Sequence, residues 1–191
     1  MLNTNYITLE DFKIVDVAIH CDYSKLNIAI QDALNFELHD ILCEYYGFVK
    51  SVLDTENQNA EQLKLLNGTD YECGNTTKRF LGIKSLLVYY SYANYLMGST
   101  LNDTGLGFVQ KTDQYSIPTP LKDIKEITNS YRNRGYAIFK QLKDYLCHNP
   151  ELIDGFNIHL DDCGCGCSHG KCDFTEKRIY TFKPRIIKKD I

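Results

Sequence analysis

Apolar side chains recur at every third or fourth position through residues 25–53. A helix repeats every 3.6 residues, so this spacing places them on one face, which another part of the protein must cover. We therefore predict one long helix over residues 25–53, with Ser24 as its N-cap and Gly47 as its weakest position, because glycine disfavours a helix interior. The predicted buried face comprises Ile30, Leu34, Leu38, Ile41, Tyr45, Phe48 and Val52.

Three more stretches have the spacing or composition of helices. The first, over residues 56–66, ends at Asn67-Gly68, where the chain easily reaches the left-handed backbone that stops a helix. The second, over residues 79–97, is apolar on nearly every face and must be covered all round, by its own chain or by neighbouring copies. The third begins near Asp123, which has capping-box spacing to the acid three residues on, and ends before Asn149-Pro150. Its apolar stripe is Ile124, Ile127, Tyr131, Ile138, Leu142 and Tyr145.

These helices predict a mainly α protein, a helical bundle of about four helices, with smaller features added. A short hairpin over residues 71–77 turns at Gly74-Asn75. A polar, glycine-containing segment over residues 98–120 has no helical period, and its length suits a connecting arm that contacts another protein. We place the helical core, including this arm, in residues 1–150 and a C-terminal extension in residues 151–191.

Length and charge are those of a globular protein with one main domain. The chain has 191 residues, of which 43% are hydrophobic and 24% charged, and a net charge of −4. This mildly acidic balance argues against a protein whose whole surface binds nucleic acid. The first residues lack the pattern of a signal peptide, and the longest apolar run contains Lys84 and stops at Gly98. We therefore expect neither export nor a membrane span.

Four thiols and one imidazole lie within ten residues of the C-terminal extension. Four soft ligands match the tetrahedral site of a structural zinc ion, and the intervening glycines would let a short segment wrap around it. The alternating Cys-x-Cys spacing differs from that of zinc fingers, so a Gly-rich turn with free thiols and a disulfide are open alternatives. The candidate metal ligands are Cys163, Cys165, Cys167 and Cys172, with His169 as an alternative ligand.

A predicted short strand over residues 178–182 and a basic tail follow this cluster. Cations outnumber acids in the tail, which would suit contact with phosphate or with an acidic protein surface, or a simply solvated end. The cations are Lys177, Arg178, Lys183, Arg185, Lys188 and Lys189.

The sequence contains none of the common catalytic motifs. There is no Gly-rich phosphate loop, no His-Glu-x-x-His and no Gly-x-Ser-x-Gly. Cys43 and Cys147 fall in predicted helices, where a lone cysteine is usually a small buried apolar residue. His148 lies near a helix C-terminus, where positive charge is favourable. We expect no enzymatic activity, and neither catalytic nor cofactor-binding residues apart from the possible zinc ligands.

The order of motifs from residue 65 to residue 136 resembles that of a known family. The motifs are Leu65-Leu66-Asn67-Gly68, Tyr71-Glu72-Cys73, Arg79-Phe80-Leu81-Gly82-Ile83-Lys84, Tyr89-Tyr90-Ser91-Tyr92-Ala93-Asn94-Tyr95, Gly107-Phe108-Val109-Gln110-Lys111 and Tyr115-Ser116. This pattern is similar to the head-to-tail connector proteins, also called adaptor or ring proteins, of tailed bacteriophages of Bacteroidetes, including the crAss-like phages. It covers the middle two-thirds of the chain and excludes the cysteine cluster.

The resemblance implies a structural virion protein made in the host cytoplasm. Such a subunit assembles with itself into a ring, expected to be a dodecamer, at the head–tail interface beneath the portal protein. The ring extends the channel through which DNA passes without sequence-specific binding, and it contacts neighbouring tail or ring proteins. Because each subunit would use two different surfaces, the ring can close without any surface binding itself.

Two other classes of function are compatible with the sequence. A small metal-stabilised nucleic-acid-binding module would use the cysteine cluster and the basic tail, and its DNA binding would weaken with salt. A thiol-based redox or metal-handling protein would bind several metal ions or turn over thiols rapidly. A ring protein would instead form large oligomers, alone or with its portal.

Overall fold

The computed structural model of the chain describes residues 6–15, 21–104, 107–110, 119–156 and 158, with side chains outside 101–110. A short 3-10 helix, Asp11–Val15, opens the described chain and buries Phe12 and Val15. The prediction of a mainly α fold is confirmed, because in the described residues helices dominate and the strands form two small antiparallel hairpins. The cysteine cluster, the predicted strand over residues 178–182 and the basic tail lie outside the described residues.

The predicted long helix forms over residues 23–54, but in five segments. We call this run the segmented helix. It consists of α1 (Tyr23–Asp32), a π-helical turn (Ala33–Glu37), α2 (Leu38–Leu42), a 3-10 turn (Cys43–Tyr45) and α3 (Tyr46–Asp54). The N-cap is Asp22, not Ser24, because the Asp22 side chain accepts hydrogen bonds from the backbone N–H groups of Ser24 and Lys25. Of the predicted stripe, Ile41 is half-buried and the rest are buried.

The weak point of the segmented helix is Cys43, not Gly47. Cys43 has φ 49° and ψ −116°, a backbone conformation that disfavours residues with a Cβ, whereas Gly47 lies inside α3. Cys43 is exposed, so the prediction that it is a small buried apolar residue is wrong. Periodicity did not reveal the break because the apolar stripe continues on both sides of it.

The next helix and the first hairpin meet at two glycines. α4 (Ala60–Asn67) begins later than predicted, at a capping box made by Asn59 and Gln62, and ends at Gly68 with φ 90°. β1 (Thr69–Cys73) pairs with β2 (Thr76–Phe80), which confirms the hairpin and its Gly74-Asn75 turn. The chain then passes Gly82, also at φ 90° and packed against the backbone of Gly68.

The apolar helix α5 (Ile83–Thr100) lies at the centre of the fold. It begins later than predicted, because residues 79 and 80 belong to β2. It packs most extensively against α6 (Leu121–His148) and α1, and also contacts α4 and the 3-10 helix Asp11–Val15. The chain itself covers α5 as far as Ala93, and from Asn94 onward most of its side chains are half-buried. Its buried side chains are Ile83, Leu86, Leu87, Val88, Tyr89, Tyr90, Ser91 and Ala93.

The predicted arm contains regular structure. Its first residues extend α5 to Thr100, and β3 (Leu101–Thr104) then pairs with β4 (Gly107–Gln110) in a second antiparallel hairpin. The prediction that this segment is a loop is therefore wrong for these residues, because short polar strands also lack a helical period.

Helix α6 begins two residues before the predicted start. Pro120 occupies its N-cap position, so Asp123 lies inside the first turn and makes no capping box. The helix ends at His148, and Pro150 opens a 3-10 turn (Pro150–Ile153), which confirms the predicted end. Its face is less regular than predicted: Ile127 is 46% exposed. Gly135 is buried against the Tyr90 ring, where a Cβ would come within 2.6 Å of Tyr90 Cε2.

Replacing Cys43 by glycine should stabilise the protein. Glycine tolerates φ 49° without steric cost, and the strain removed, roughly 1–3 kcal/mol, exceeds the entropic cost of glycine, about 0.5–1 kcal/mol. Cys43→Ala removes the thiol but keeps the Cβ and is the matched control. We expect chemical denaturation to give a higher free energy of unfolding for the glycine variant alone. A glycine variant less stable than the alanine variant would show that the backbone at residue 43 is not strained, because only the entropic cost of glycine would then remain.

Replacing Gly82 by alanine should destabilise the protein more than the same change at Gly74. Both glycines have positive φ, but an added Cβ on Gly82 would lie 2.5 Å from the backbone N of Gly68, whereas nothing lies within 4 Å of one on Gly74. Gly74→Ala should cost about 1–2 kcal/mol of unfolding free energy, and Gly82→Ala roughly 1–3 kcal/mol more. Thermal and urea unfolding of the two variants will test this order.

Candidate functional site

The predicted zinc ligands Cys163, Cys165, Cys167, Cys172 and His169 all lie outside the described residues. Within residues 6–156, apart from the gaps in the description, no group of three or more His, Cys, Asp or Glu side chains is placed to hold a metal ion. The zinc site therefore stays a prediction that rests on the sequence.

The thiols of Cys21, Cys43 and Cys73 and the imidazole of His148 lie in structural surroundings. Burial raises the pKa of the Cys21 thiol, which makes it a poor nucleophile. Cys43 is exposed at the helix break, and Cys73 is half-buried at the end of β1. His148 lies in the last turn of α6, as predicted, with its Nδ1 2.7 Å from the backbone carbonyl oxygen of Asp144. That contact joins two residues one helical turn apart through the backbone, and it does not involve the Asp144 carboxylate.

Tyr71, Lys78 and Asp144 form a polar contact that we call the hairpin clasp. Asp144 Oδ2 accepts hydrogen bonds from Tyr71 Oη at 2.8 Å and from Lys78 Nζ at 2.7 Å. The Tyr71 ring also packs on the rings of Tyr145 and His148. Because Tyr71 and Lys78 come from the two strands and Asp144 from α6, the clasp fixes the hairpin on the helix.

The clasp raises the pKa of its lysine. The hydrogen bond that Lys78 donates to Asp144 raises the pKa of Lys78, while partial burial acts in the opposite direction. The carboxylate is only 18% exposed, and its second oxygen, Oδ1, is buried without a hydrogen-bond partner among the described residues. Removing the lysine would therefore leave a poorly hydrated negative charge, which is costly.

A second polar contact, the Arg132 bridge, joins three helical elements. Arg132 donates to Glu37 Oε1 from Nη2 at 2.5 Å and from Nε at 3.1 Å, and Nη2 also donates to Asn94 Oδ1 at 2.9 Å. Glu37 belongs to the π-helical turn, Asn94 to α5 and Arg132 to α6. The bridge therefore fixes the position of the π-helical turn on the bundle.

Tyrosine rings fill the space between α5 and α6 beside this bridge. The Tyr131 ring of α6 packs edge-on against the Tyr92 ring, with 4.9 Å between the ring centroids. Its centroid lies 6.1 Å from that of Tyr89. Further along α5, Tyr95 Oη accepts a hydrogen bond from the backbone N–H of Asp22, and Lys25 Nζ donates to the carbonyl oxygen of Gly98. The start of the segmented helix is thus held to the end of α5.

Large apolar side chains are exposed on several elements of the described chain, among them Leu63 on α4, and the most exposed Phe and Tyr side chains lie on the segmented helix and on α6. The segmented helix exposes Ile28 and Phe36, the latter to 69%. Helix α6 exposes Leu121, Ile127 and Tyr136, the last to 48%. Exposed aromatic residues with nearby arginine are enriched where proteins contact one another. These two surfaces form the candidate functional site.

A shallow depression lies on α6. It is lined by residues of that one helix, which cannot by itself enclose a small molecule. The lining residues are Glu126, Asn129, Ser130, Asn133, Arg134 and Ala137.

Sequence reasoning missed both polar contacts and the exposed surfaces. The partners in the clasp and the bridge are separated by 66 and 95 positions in the chain, so no local pattern joins them. Phe36 did carry a signal, since it falls outside the apolar stripe of its helix and an aromatic residue there predicts exposure.

Comparisons with known proteins identify one family. The model of the Family of unknown function (DUF6712) matches residues 30–157. No curated protein and no solved structure matches the chain. In the part of the chain that the structure describes, no helix combines the length and apolar character needed to cross a membrane.

The Lys78–Asp144 pair should make a pH-dependent contribution to stability. Since the folded-state pKa of Lys78 is raised, this contribution is complete below the ordinary lysine pKa of about 10.4 and is lost as pH rises through the folded-state value. A double-mutant cycle with Lys78→Met and Asp144→Asn should give a coupling energy of about 0.5–1 kcal/mol at pH 7, kept modest by the 36% exposure of Lys78. Urea unfolding between pH 7 and pH 11 will measure it. A coupling of zero at pH 7 would contradict the clasp.

Proposed function

The chain belongs to DUF6712, a family of unknown function, and we propose that it is a structural subunit of the ring that joins head and tail in a tailed bacteriophage. The family match and the motifs over residues 65–136, which resemble those of phage connector proteins, occupy the same part of the chain. The observation that carries the proposal furthest is the pair of exposed surfaces on the segmented helix and α6.

Two distinct surfaces are what a closed ring requires. In a cyclic assembly above a dimer, each subunit contacts one neighbour with one surface and the other neighbour with a second surface. The segmented helix and α6 each bury one face in the core and turn another outward with exposed aromatic side chains. A subunit with exposed aromatic side chains on two separate helices can bind a neighbour on each side while its own core stays intact.

The second hairpin is a candidate contact for partners above or below the ring. It directly follows the C-terminal end of α5, where side chains such as Leu96 and Met97 are half-buried. We propose that residues 98–120 contact a neighbouring subunit, the portal protein or the next ring. In this proposal the ring is a dodecamer in the virion neck, has no enzymatic activity, and lets DNA pass through its lumen without sequence-specific contacts.

The mass and shape of the purified protein will test the proposal. We expect rings in electron micrographs, either from the protein alone or after addition of the portal protein encoded with it. Deleting residues 101–116 should abolish assembly, either of the ring or of its complex with the portal protein, while the circular dichroism of the helices is retained. A protein that stays monomeric with its portal, and binds DNA in a salt-dependent manner, would instead indicate the metal-stabilised nucleic-acid-binding module.

A further inference from the structure

We infer that neighbouring copies contact each other through the acidic outer face of the segmented helix on one copy and the basic outer face of α6 on the next. This inference rests on the proposed ring and names the surfaces that would form its repeated contact. The partner is a second copy of this chain, and the recognition chemistry is the pairing of carboxylates with lysine and arginine around exposed aromatic rings.

The middle of the segmented helix is acidic. Residues 26–49 contain four acids, Asp32, Glu37, Asp40 and Glu44, and no lysine or arginine. Glu37 is used inside the subunit by the Arg132 bridge, whereas Asp32, Asp40 and Glu44 are exposed. The ion pairs between described residues involve none of these three acids. This face therefore presents carboxylates that the described core does not neutralise.

The middle of α6 has the opposite composition. Residues 127–143 contain four cations, Arg132, Arg134, Lys140 and Lys143, and no acid. Arg132 is used by the bridge, while Arg134 and Lys140 are exposed. Each of these two lies over a tyrosine ring of its own helix, Arg134 at 5.3 Å from the Tyr131 ring and Lys140 at 5.0 Å from the Tyr136 ring. These contacts leave both cations available to carboxylates of another molecule.

Each face also carries an exposed aromatic side chain. On the segmented helix, Phe36 lies one turn from Asp32 and one turn from Asp40, and it is 69% exposed. On α6, Tyr136 lies one turn from Lys140, and it is 48% exposed. Exposed aromatic side chains are enriched in protein–protein contacts.

The faces are suited to contact between copies rather than within one copy. Each helix is already packed against α5 by its apolar side, which turns the charged side outward. A contact between two different faces repeats from copy to copy and closes into a ring when the rotation permits. Pairing opposite charges also reduces the repulsion between subunits that each carry a net charge of −4.

Charge reversal with complementation in a mixture will test the inference. The acid-face variant carries Asp32→Lys, Asp40→Lys and Glu44→Lys, and the basic-face variant carries Arg134→Glu and Lys140→Glu. Each variant alone would bring like charges together, so we expect self-association to weaken roughly tenfold or more. In an equal mixture every contact can again join opposite charges if the variants alternate, so we expect rings to return, with both proteins present in equal amounts.

A control with reversals elsewhere separates this effect from a general change of net charge. Glu10→Lys, Glu56→Lys and Glu151→Lys alter three exposed acids outside both faces and should leave assembly unchanged. Circular dichroism will show that all variants fold, and mass photometry and electron microscopy will count the copies.

If both variants assemble as the wild type does, the contact is refuted while the ring proposal stands. The contact is also refuted if each variant alone fails to assemble and the mixture does not recover assembly. That result is expected if something other than α6, such as the basic tail, binds the acidic face. A wild type without rings overturns both.

Discussion

The burial of α5 is the constraint on which the rest of the fold depends. Its first eleven residues carry apolar or aromatic side chains on nearly every face, so no single partner helix can cover them. The chain covers them from several directions, with α6 and α1 packed along the helix and with α4 and the N-terminal 3-10 helix at its start. The buried area provides the main stabilisation through the hydrophobic effect.

Polar contacts then select one arrangement of these helices. Apolar packing alone tolerates sliding and rotation, whereas the Arg132 bridge and the hairpin clasp each require particular atoms to meet. Both include a carboxylate oxygen that is buried without a hydrogen-bond partner in the described core. Gly135 adds a steric condition, because the Tyr90 ring occupies the space that any larger residue at position 135 would need. Specificity in this bundle therefore comes from a few polar and steric contacts on an apolar background.

The sequence predicted the elements that repeat locally and missed those set by distant contacts. Periodicity located the segmented helix and α6, and the Asn67-Gly68 and Gly74-Asn75 signals located a helix end and a turn. It placed the start of the apolar helix too early, since Arg79 and Phe80 are equally compatible with a strand that pairs with β1. The break at Cys43 and the π-helical turn before it arise from packing, which no local pattern contains. Of the candidate site, only the off-stripe position of Phe36 could be read in advance, whereas the clasp and the bridge join residues far apart in the chain.

The contact between Gly68 and Gly82 has a consequence for the architecture of related chains. The first hairpin lies between the end of α4 and the start of α5. Its two ends meet where the backbones of Gly68 and Gly82 are in contact. The positions of the two helices are set by the pair of glycines and not by the number of residues between them. A longer or shorter hairpin could therefore be inserted there without redirecting the bundle, and this makes it a natural place for length variation and for new contacts to evolve.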